Sequence, residues 1–321
     1  MNRSNQRYAG CLLDRAGRLR KNSAWVAQQF AAPGARILPV WRNRNLISLA
    51  ENTRQTPTLI YLPRKQAHNI LEIARETIFL GLEANIPLFA ADISPLPQSE
   101  SEELARNGKF LDLRRVGPSL AADQAALAAY ARSSLRWHRY SRYCGHCGAP
   151  SESRDGGHLR VCSNQRCGRE SYPRTDPAVI MLVETWPSDG SPPRCLLAHH
   201  HRSPPGGYTT LAGFVEPGES LEEAVAREVF EEVGIRLRSV SYQDSQPWPF
   251  PASIMLGFRA IAETTELVID TAEIVDARWY TAEEISGFGD WSDPQATRRL
   301  SPKDSIARYL IDSWLHDAAS R

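Results

Sequence analysis

The chain has 321 residues, 42% hydrophobic and 23% charged, which is the composition of an ordinary globular protein of roughly two domains and excludes a disordered or fibrous one. Its 38 Lys and Arg against 37 Asp and Glu leave a net charge of +1, so no bulk field draws in DNA or another polyanion, and any phosphate must be held locally. Apolar stretches such as Ala178 to Val183 fall far short of the roughly 20 residues a membrane helix needs, so no membrane span is expected.

The N-terminus, Met1 to Arg7, is basic, but Asp14, Arg15, Arg18 and Arg20 interrupt the next segment, leaving no apolar core of a signal peptide. A cytoplasmic location is the expectation. Lysine occurs only at Lys21, Lys65, Lys109 and Lys303. The remaining cations are arginine, whose planar fork suits bidentate phosphate contacts, although genome composition produces the same bias.

Residues 1–135 alternate short apolar runs (Ile37 to Val40, Thr58 to Leu62, Ile86 to Ala90) with Pro, Asn and Ser, and include a helix-like stretch from Ala67 to Leu82. This reads as an N-terminal α+β domain. Between Glu102 and Arg136, the positions Leu120, Ala121, Leu127, Tyr130, Ala131 and Leu135 suggest one helix leading out of it. Across residues 140–174 apolar periodicity gives way to Cys, Gly, Ser and Arg, as in a small module that needs an external staple.

Of six cysteines, Cys11 and Cys195 are read as packing residues, while Cys144, Cys147, Cys162 and Cys167 form two chelating pairs separated by 14 residues. In a reducing compartment this spacing indicates a zinc ribbon before a disulfide framework. Four thiolates close the tetrahedron, so one structural Zn²⁺ per subunit is expected, with His146 or His158 as alternatives to a thiolate.

The remaining span, 175–321, begins with a buried strand at Pro177 to Val183 and a second at Arg194 to Ala198. A helix from Glu219 to Val233 carries Leu221, Val225, Val229 and Val233 on one stripe, with Gly234 placed as its C-cap. Strands are expected at Ile254 to Ala262 and Ala277 to Tyr280, and a closing helix at Ser305 to Asp317.

That first helix also carries Glu228, Glu231 and Glu232, which i, i+3 and i+4 spacing brings into one patch. Like charges so close repel unless cations neutralise them, and hard divalent ions such as Mg²⁺ or Mn²⁺ suit carboxylate oxygens while carrying substrate phosphates. A solvated charged face is the plainer reading. It gives way because the segment from Gly213 to Ile235 resembles the Nudix box at every fixed position: Gly213, Glu219, Arg227-Glu228, Val229, Glu231-Glu232, Gly234 and Ile235.

The resemblance implies an α/β fold, the Nudix α/β/α sandwich around a mixed sheet, preceded here by the zinc ribbon and the N-terminal α+β domain. It also implies hydrolysis of a nucleoside diphosphate linked to another moiety, with two or three Mg²⁺ or Mn²⁺ per site. Glu228, Glu231 and Glu232 would bind those ions, Glu219 would support the metal shell and Arg227 would orient the glutamates.

Downstream, Ser245-Gln246-Pro247-Trp248-Pro249-Phe250-Pro251-Ala252-Ser253 reads as a stiff extended loop suited to lining a flat apolar group. The run resembles the signature of the NADH pyrophosphatases among Nudix hydrolases, a group that also carries a zinc ribbon before the Nudix domain. Membership implies cleavage of NAD⁺ or NADH to NMN(H) and AMP, and removal of NAD caps from RNA to leave a 5′-monophosphate.

It further implies a homodimer with nicotinamide stacked between Phe214 and Tyr172, the latter contributed across the dimer interface. Ala212 would offer a carbonyl to metal, Glu273 would be a late metal ligand, and Ala307 would make a backbone substrate contact. Gln246, Pro247, Trp248, Pro249, Phe250, Pro251, Ala252 and Ser253 would form the substrate loop, and Arg115 or its neighbour Arg114 an N-terminal substrate contact. Two features depart from the family pattern: the four-residue gap between Cys162 and Cys167, and Gly157, where some relatives carry a substrate-binding acidic residue.

Near-neutral charge places RNA recognition at the cap rather than along the chain. A broader nucleotide-sugar or ADP-ribose diphosphatase is the competing enzyme. A noncatalytic zinc-ribbon binding module with a decayed Nudix domain is the competing class, opposed by the intact Arg227, Glu228, Glu231 and Glu232.

Overall fold

The computed structural model describes residues 6–48, 56–106 and 108–320. Residues 1–5 of the basic N-terminus lie outside them. The chain forms two compact units, one of residues 7–175 together with Pro249–Ala252, the other built mainly from residues 176–248 and 253–320.

In the first unit, a seven-stranded sheet has as its central pair the parallel strands Arg36–Trp41 and Ile86–Asp92. Helix Ser23–Ala31 covers one face, where Trp25 meets Phe79 and Phe30 meets Phe89 edge-on. The expected long helix at Ala67 to Leu82 is instead two elements, helix His68–Ile73 and strand Thr77–Glu83.

Two causes override the helical pattern. Thr77, Ile78 and Phe79 are β-branched or aromatic and fit a strand buried on both faces. Gly81 sits at φ 147° with the Asp14 carbonyl where a Cβ would be, a conformation no helix contains. The expected outgoing helix is present over Ala122–Tyr140 and packs on this sheet.

The cysteine-bearing segment joins the same unit as a three-stranded antiparallel sheet: Ser151–Arg154, Leu159–Cys162 and Glu170–Ser171. It is docked by polar contacts in place of an apolar core. The Arg160 guanidinium donates to Glu76 at 3.0 Å, to the Ser151 hydroxyl at 2.8 Å and to His138 Nδ1 at 2.8 Å, while His138 Nε2 donates to the Gly157 carbonyl at 2.7 Å. Hydrogen bonds to both of its nitrogens orient the buried His138 ring.

The second unit is a mixed sheet in the order Leu237–Trp248, Ser253–Ala262, Asp176–Thr185, Arg194–His200, Ile274–Thr281, with Leu211–Phe214 also paired to Asp176–Thr185. Asp176–Thr185 runs parallel to Ser253–Ala262 and antiparallel to its other neighbours. Its side chains alternate between two buried faces, which is why it reads as one continuous apolar run.

Val179, Met181 and Val183 pack with Val225, Val229 and Val233 of helix Leu221–Val233. Ile180 and Leu182 pack with Leu310, Ile311 and Trp314 of helix Ile306–Ala319. A helix therefore covers each face, and each aliphatic side chain so buried contributes about 1.5–3 kcal/mol. This is the expected α/β/α sandwich.

The proline-rich run is a hairpin rather than a loop. Gln246, Pro247 and Trp248 complete strand Leu237–Trp248 and pair with Met255, Ile254 and Ser253, so only Pro249–Ala252 turn. Leu237–Trp248 lies at the sheet edge, where a proline costs no ladder hydrogen bond.

Candidate active site

Strand Leu211–Phe214 and helix Leu221–Val233 carry the carboxylate cluster. The helix starts with a capping box, Ser220 accepting from Glu223 N while the Glu223 carboxylate accepts from Ser220 N, and it ends at Gly234 with φ 73°. Its apolar stripe fixes rotation about the helix axis, so the glutamates are aimed by core packing several ångströms away.

Arg227 is the hub. Its Nε and Nη2 donate to Glu219 at 3.0 and 2.7 Å, Nη2 also donates to the Phe214 carbonyl at 2.9 Å, and Nη1 reaches Glu228 at 2.9 Å and Glu231 at 3.0 Å. Glu219 in turn accepts from Glu216 N at 2.6 Å, closing the loop between strand and helix. The hydrogen bonds from Arg227 hold the Glu219 carboxyl below its ordinary range and raise the guanidinium above its own.

Glu232 is different. It is 3% exposed, and its Oε2 has no hydrogen-bond partner among the described residues. Burial, followed by the charges of Glu228 and Glu273, pushes its carboxyl up to about 8. Glu228 is also raised, chiefly by burial.

Gly213 lies against this group, and a Cβ on it would overlap the Glu228 carboxylate. An unpartnered buried carboxylate oxygen, a glycine-walled space beside a second carboxylate and an all-oxygen donor set together fit hard divalent cations. Ala212, half-buried on the same strand, pairs with Ile180.

The family resemblance names Glu273, but not the contacts that hold the loop presenting it. Asp270 N donates to the Glu232 carbonyl and Val268 N to the Val233 carbonyl, both at 2.9 Å, tying the loop to the last turn of the helix. His201 N donates to the Glu273 carbonyl at 3.4 Å, and His201 Nε2 to the Thr271 carbonyl at 3.0 Å. These partners are far apart in sequence and obey no periodicity, so no sequence pattern marks them.

Phe214 and Tyr172 are large aromatics left 60% and 62% exposed, each in a different compact unit. The Tyr172 hydroxyl donates to Glu170 at 2.5 Å. Gln246 is fully buried with both ends of its amide engaged, Nε2 donating to the Asp304 carbonyl and Oε1 accepting from Ile306 N. It therefore joins the hairpin to the start of the C-terminal helix, where Ala307 lies buried in the first turn.

Arg114 and Arg115 are both exposed, and the Arg114 guanidinium lies 4.6 Å from the Phe250 ring centroid. Gly157 has φ 95°, and a Cβ there would meet Ile78 Cβ at 2.7 Å, so an internal contact fills the space a side chain would need at this position.

The Cys144, Cys147, Cys162 and Cys167 sulfurs lie within 4.8 Å of one another. Each knuckle is shaped by backbone: Gly148 N donates to Cys144 O, Gly168 N to Asn164 O, and both glycines take positive φ. Hydrogen bonds from the Cys147 and His146 backbone lower the Cys144 thiol to about 6, while burial raises the Cys162 thiol. His158 is engaged elsewhere, Nε2 donating to the Phe79 carbonyl at 2.7 Å, and burial lowers it to about 4. The four-residue gap of the second knuckle is taken up by the Asn164 turn.

Three family profiles match the chain in order: the NADH pyrophosphatase-like rudimentary NUDIX domain over residues 34–137, the NADH pyrophosphatase zinc ribbon domain over 139–172 and the NUDIX domain over 176–302. The NAD-capped RNA hydrolase NUDT12 of Macaca fascicularis is 35% identical across 96% of this chain and 73% of its own length. The NAD-capped RNA hydrolase NudC of Mycobacterium bovis is 36% identical across 94% of this chain and 92% of its own. Nudix hydrolase 19, chloroplastic, of Arabidopsis thaliana is 40% identical across 65% and 49%.

Proposed function

From a chain that belongs to the Nudix hydrolases of the NADH pyrophosphatase type, we infer a metal-dependent enzyme that cleaves the pyrophosphate bond of NAD(H) to NMN(H) and AMP and removes NAD caps from RNA, leaving a 5′-monophosphate. The observation that carries this is the Arg227-centred set of Glu219, Glu228 and Glu231 beside the unpartnered Glu232, within a chain that matches NAD-capped RNA hydrolases over most of its length.

Glu228, Glu231, Glu232, Glu273 and the Ala212 carbonyl would hold two or three Mg²⁺ or Mn²⁺, with Glu219 supporting them through Arg227. Bound there, they would neutralise charge on the diphosphate oxygens and lower the pKa of a water. Arg227 holds the Glu228 and Glu231 side chains in place, so little reorganisation is needed when substrate arrives. A glutamate of the patch takes the proton of the attacking water.

Phe214 of one subunit and Tyr172 of the partner subunit offer exposed ring faces for the nicotinamide, which requires a homodimer. Gln246 to Ser253, Arg115 or Arg114, and the backbone at Ala307 complete the substrate contacts in this reading. The chain divides functionally into residues 1–135, 140–174 and 175–321, the middle segment carrying one structural Zn²⁺. Among the described residues, no helix is long and apolar enough to cross a membrane; separately, the clustered cysteines read as metal ligands suit a reducing cytoplasm.

The test is turnover of NADH and of NAD-capped RNA, with product identification, by wild type, Glu231→Gln and Glu232→Gln. Loss of both activities in both variants is expected, and near wild-type hydrolysis in both would overturn the assignment. Sedimentation of a fully active monomer would remove the shared-site reading.

A further inference from the structure

The turn of the proline-rich hairpin, Pro249–Ala252, is part of the compact unit formed by residues 7–175, not of the unit that contains its two strands. Its Phe250 ring meets Tyr8 edge-on, with centroids 5.7 Å apart at 83°. The guanidinium carbons of Arg114 and Arg132 lie 4.6 and 5.0 Å from the same ring centroid.

Arg132 is 8% exposed, its Nε has no hydrogen-bond partner among the described residues, and its Asp112 contact is long at 3.5 Å. Burial lowers its pKa, and the nearby charge of Arg114 acts in the same direction. Asp112 also accepts from Arg114 backbone N at 2.9 Å, capping the helical turn that carries Arg114. Gly117 completes the pocket, since a Cβ on it would run into the Tyr8 ring.

Arg132, with Nε unpaired, a long contact to Asp112 and the like charge of Arg114 nearby, gains from the electron-rich face of Phe250, and Arg114 shares that ring. We propose that Phe250 anchors the tip of the substrate hairpin, and that Arg114, Arg132 and Tyr8 are positioning residues that hold it there.

The inference rests on the reading of Gln246 to Ser253 as the substrate element, and it gives the N-terminal region a role in affinity. A hairpin held at its tip loses less freedom when substrate binds, so the effect falls on KM more than on kcat. None of these side chains belongs to the carboxylate cluster that performs the hydrolysis.

The test measures KM and kcat for NADH in the full-length protein for Phe250→Leu, Arg114→Met, Arg132→Met, the Phe250→Leu/Arg114→Met double variant, Phe250→Trp and Trp248→Ala. Leucine keeps the apolar bulk and removes the π face. Each of the first three is expected to raise KM roughly 5- to 20-fold, with a smaller change in kcat. The double variant should be no worse than its worse parent, because both substitutions break one contact, and Phe250→Trp should recover most of the affinity lost in Phe250→Leu.

Exposed Arg114 carries the test if the buried Arg132→Met fails to fold. Unchanged KM in Phe250→Leu, or additive effects in the double variant, would overturn the anchor while a raised KM in Trp248→Ala leaves the substrate hairpin standing. If Trp248→Ala also leaves KM unchanged, the hairpin reading falls and the anchor falls with it.

Discussion

Arg227 and Glu219, eight residues apart, meet through two parallel hydrogen bonds of 3.0 and 2.7 Å, one guanidinium edge on one carboxylate. Such a fork needs both Nε and Nη2, and lysine has neither. Arg227→Lys should therefore keep the charge and lose the alignment of Glu228 and Glu231, lowering kcat on NADH by about 10- to 100-fold, since misplacing catalytic groups by an ångström costs on that order. Thermal unfolding should move little, because the pair is partly solvent-exposed and the core does not depend on it. Wild-type turnover in the lysine variant would remove Arg227 from the organisation of the site.

Gly213 offers a sharper intervention. A methyl group at this position occupies the space of the Glu228 carboxylate, which has to swing to another rotamer because the helix carrying it is fixed by Val225 and Val229 in the core. Gly213→Ala should leave the fold intact, measured by circular dichroism, and reduce turnover by about 100-fold or more, an effect the size of displacing a catalytic group. An active Gly213→Ala enzyme would mean that Glu228 works from another rotamer.

The reach of the sequence is set by the range of the interactions. The cysteine cluster and the glutamates of the box helix are legible because chelating spacing and helical periodicity are local, and the two faces of Asp176–Thr185 because a strand buried on both sides is continuously apolar. Illegible are the contacts that close over long distances: His201 with the Glu273 loop, Gln246 with Ile306, and Phe250 with Tyr8, Arg114 and Arg132. Thr77–Glu83 reads as helix because the alternation that marks a half-buried strand is absent when both faces are buried.

The cysteine cluster should behave as a staple rather than as chemistry. The surrounding three-stranded sheet has few apolar side chains, and Leu159 and Cys162 are its buried hydrophobic residues. Cys162→Ser or strong chelation should lower bound zinc from one per chain, measured by atomic absorption, and expose this segment to proteolysis, as expected where metal binding contributes much of the local folding free energy. The Arg160 and His138 contacts carry that loss into helix Ala122–Tyr140, so amide exchange near its C-terminal end should quicken as well. Zinc retained at full stoichiometry in Cys162→Ser would point to a different fourth ligand.

Glu232 makes the stability of the metal-free protein depend on pH, and its environment sets the direction. Its carboxyl titrates near 8 in the folded chain, above the ordinary value of 4.5, so the folded state binds more protons than the unfolded state between those limits. This contribution is therefore full at low pH and declines as pH rises from about 4.5 to 8. In Glu232→Gln the side chain stays neutral, so the decline should flatten, and the variant should exceed metal-free wild type at pH 8 by about 1–3 kcal/mol, the scale of an unpartnered buried polar group. Adding Mn²⁺ or Mg²⁺ should reverse the order, stabilising wild type with release of a proton and leaving Glu232→Gln nearly unchanged. Thermal unfolding from pH 5 to 8, with and without Mn²⁺, reads all of these effects, and parallel profiles for the two proteins would show that Glu232 is already ionised and compensated in the folded state.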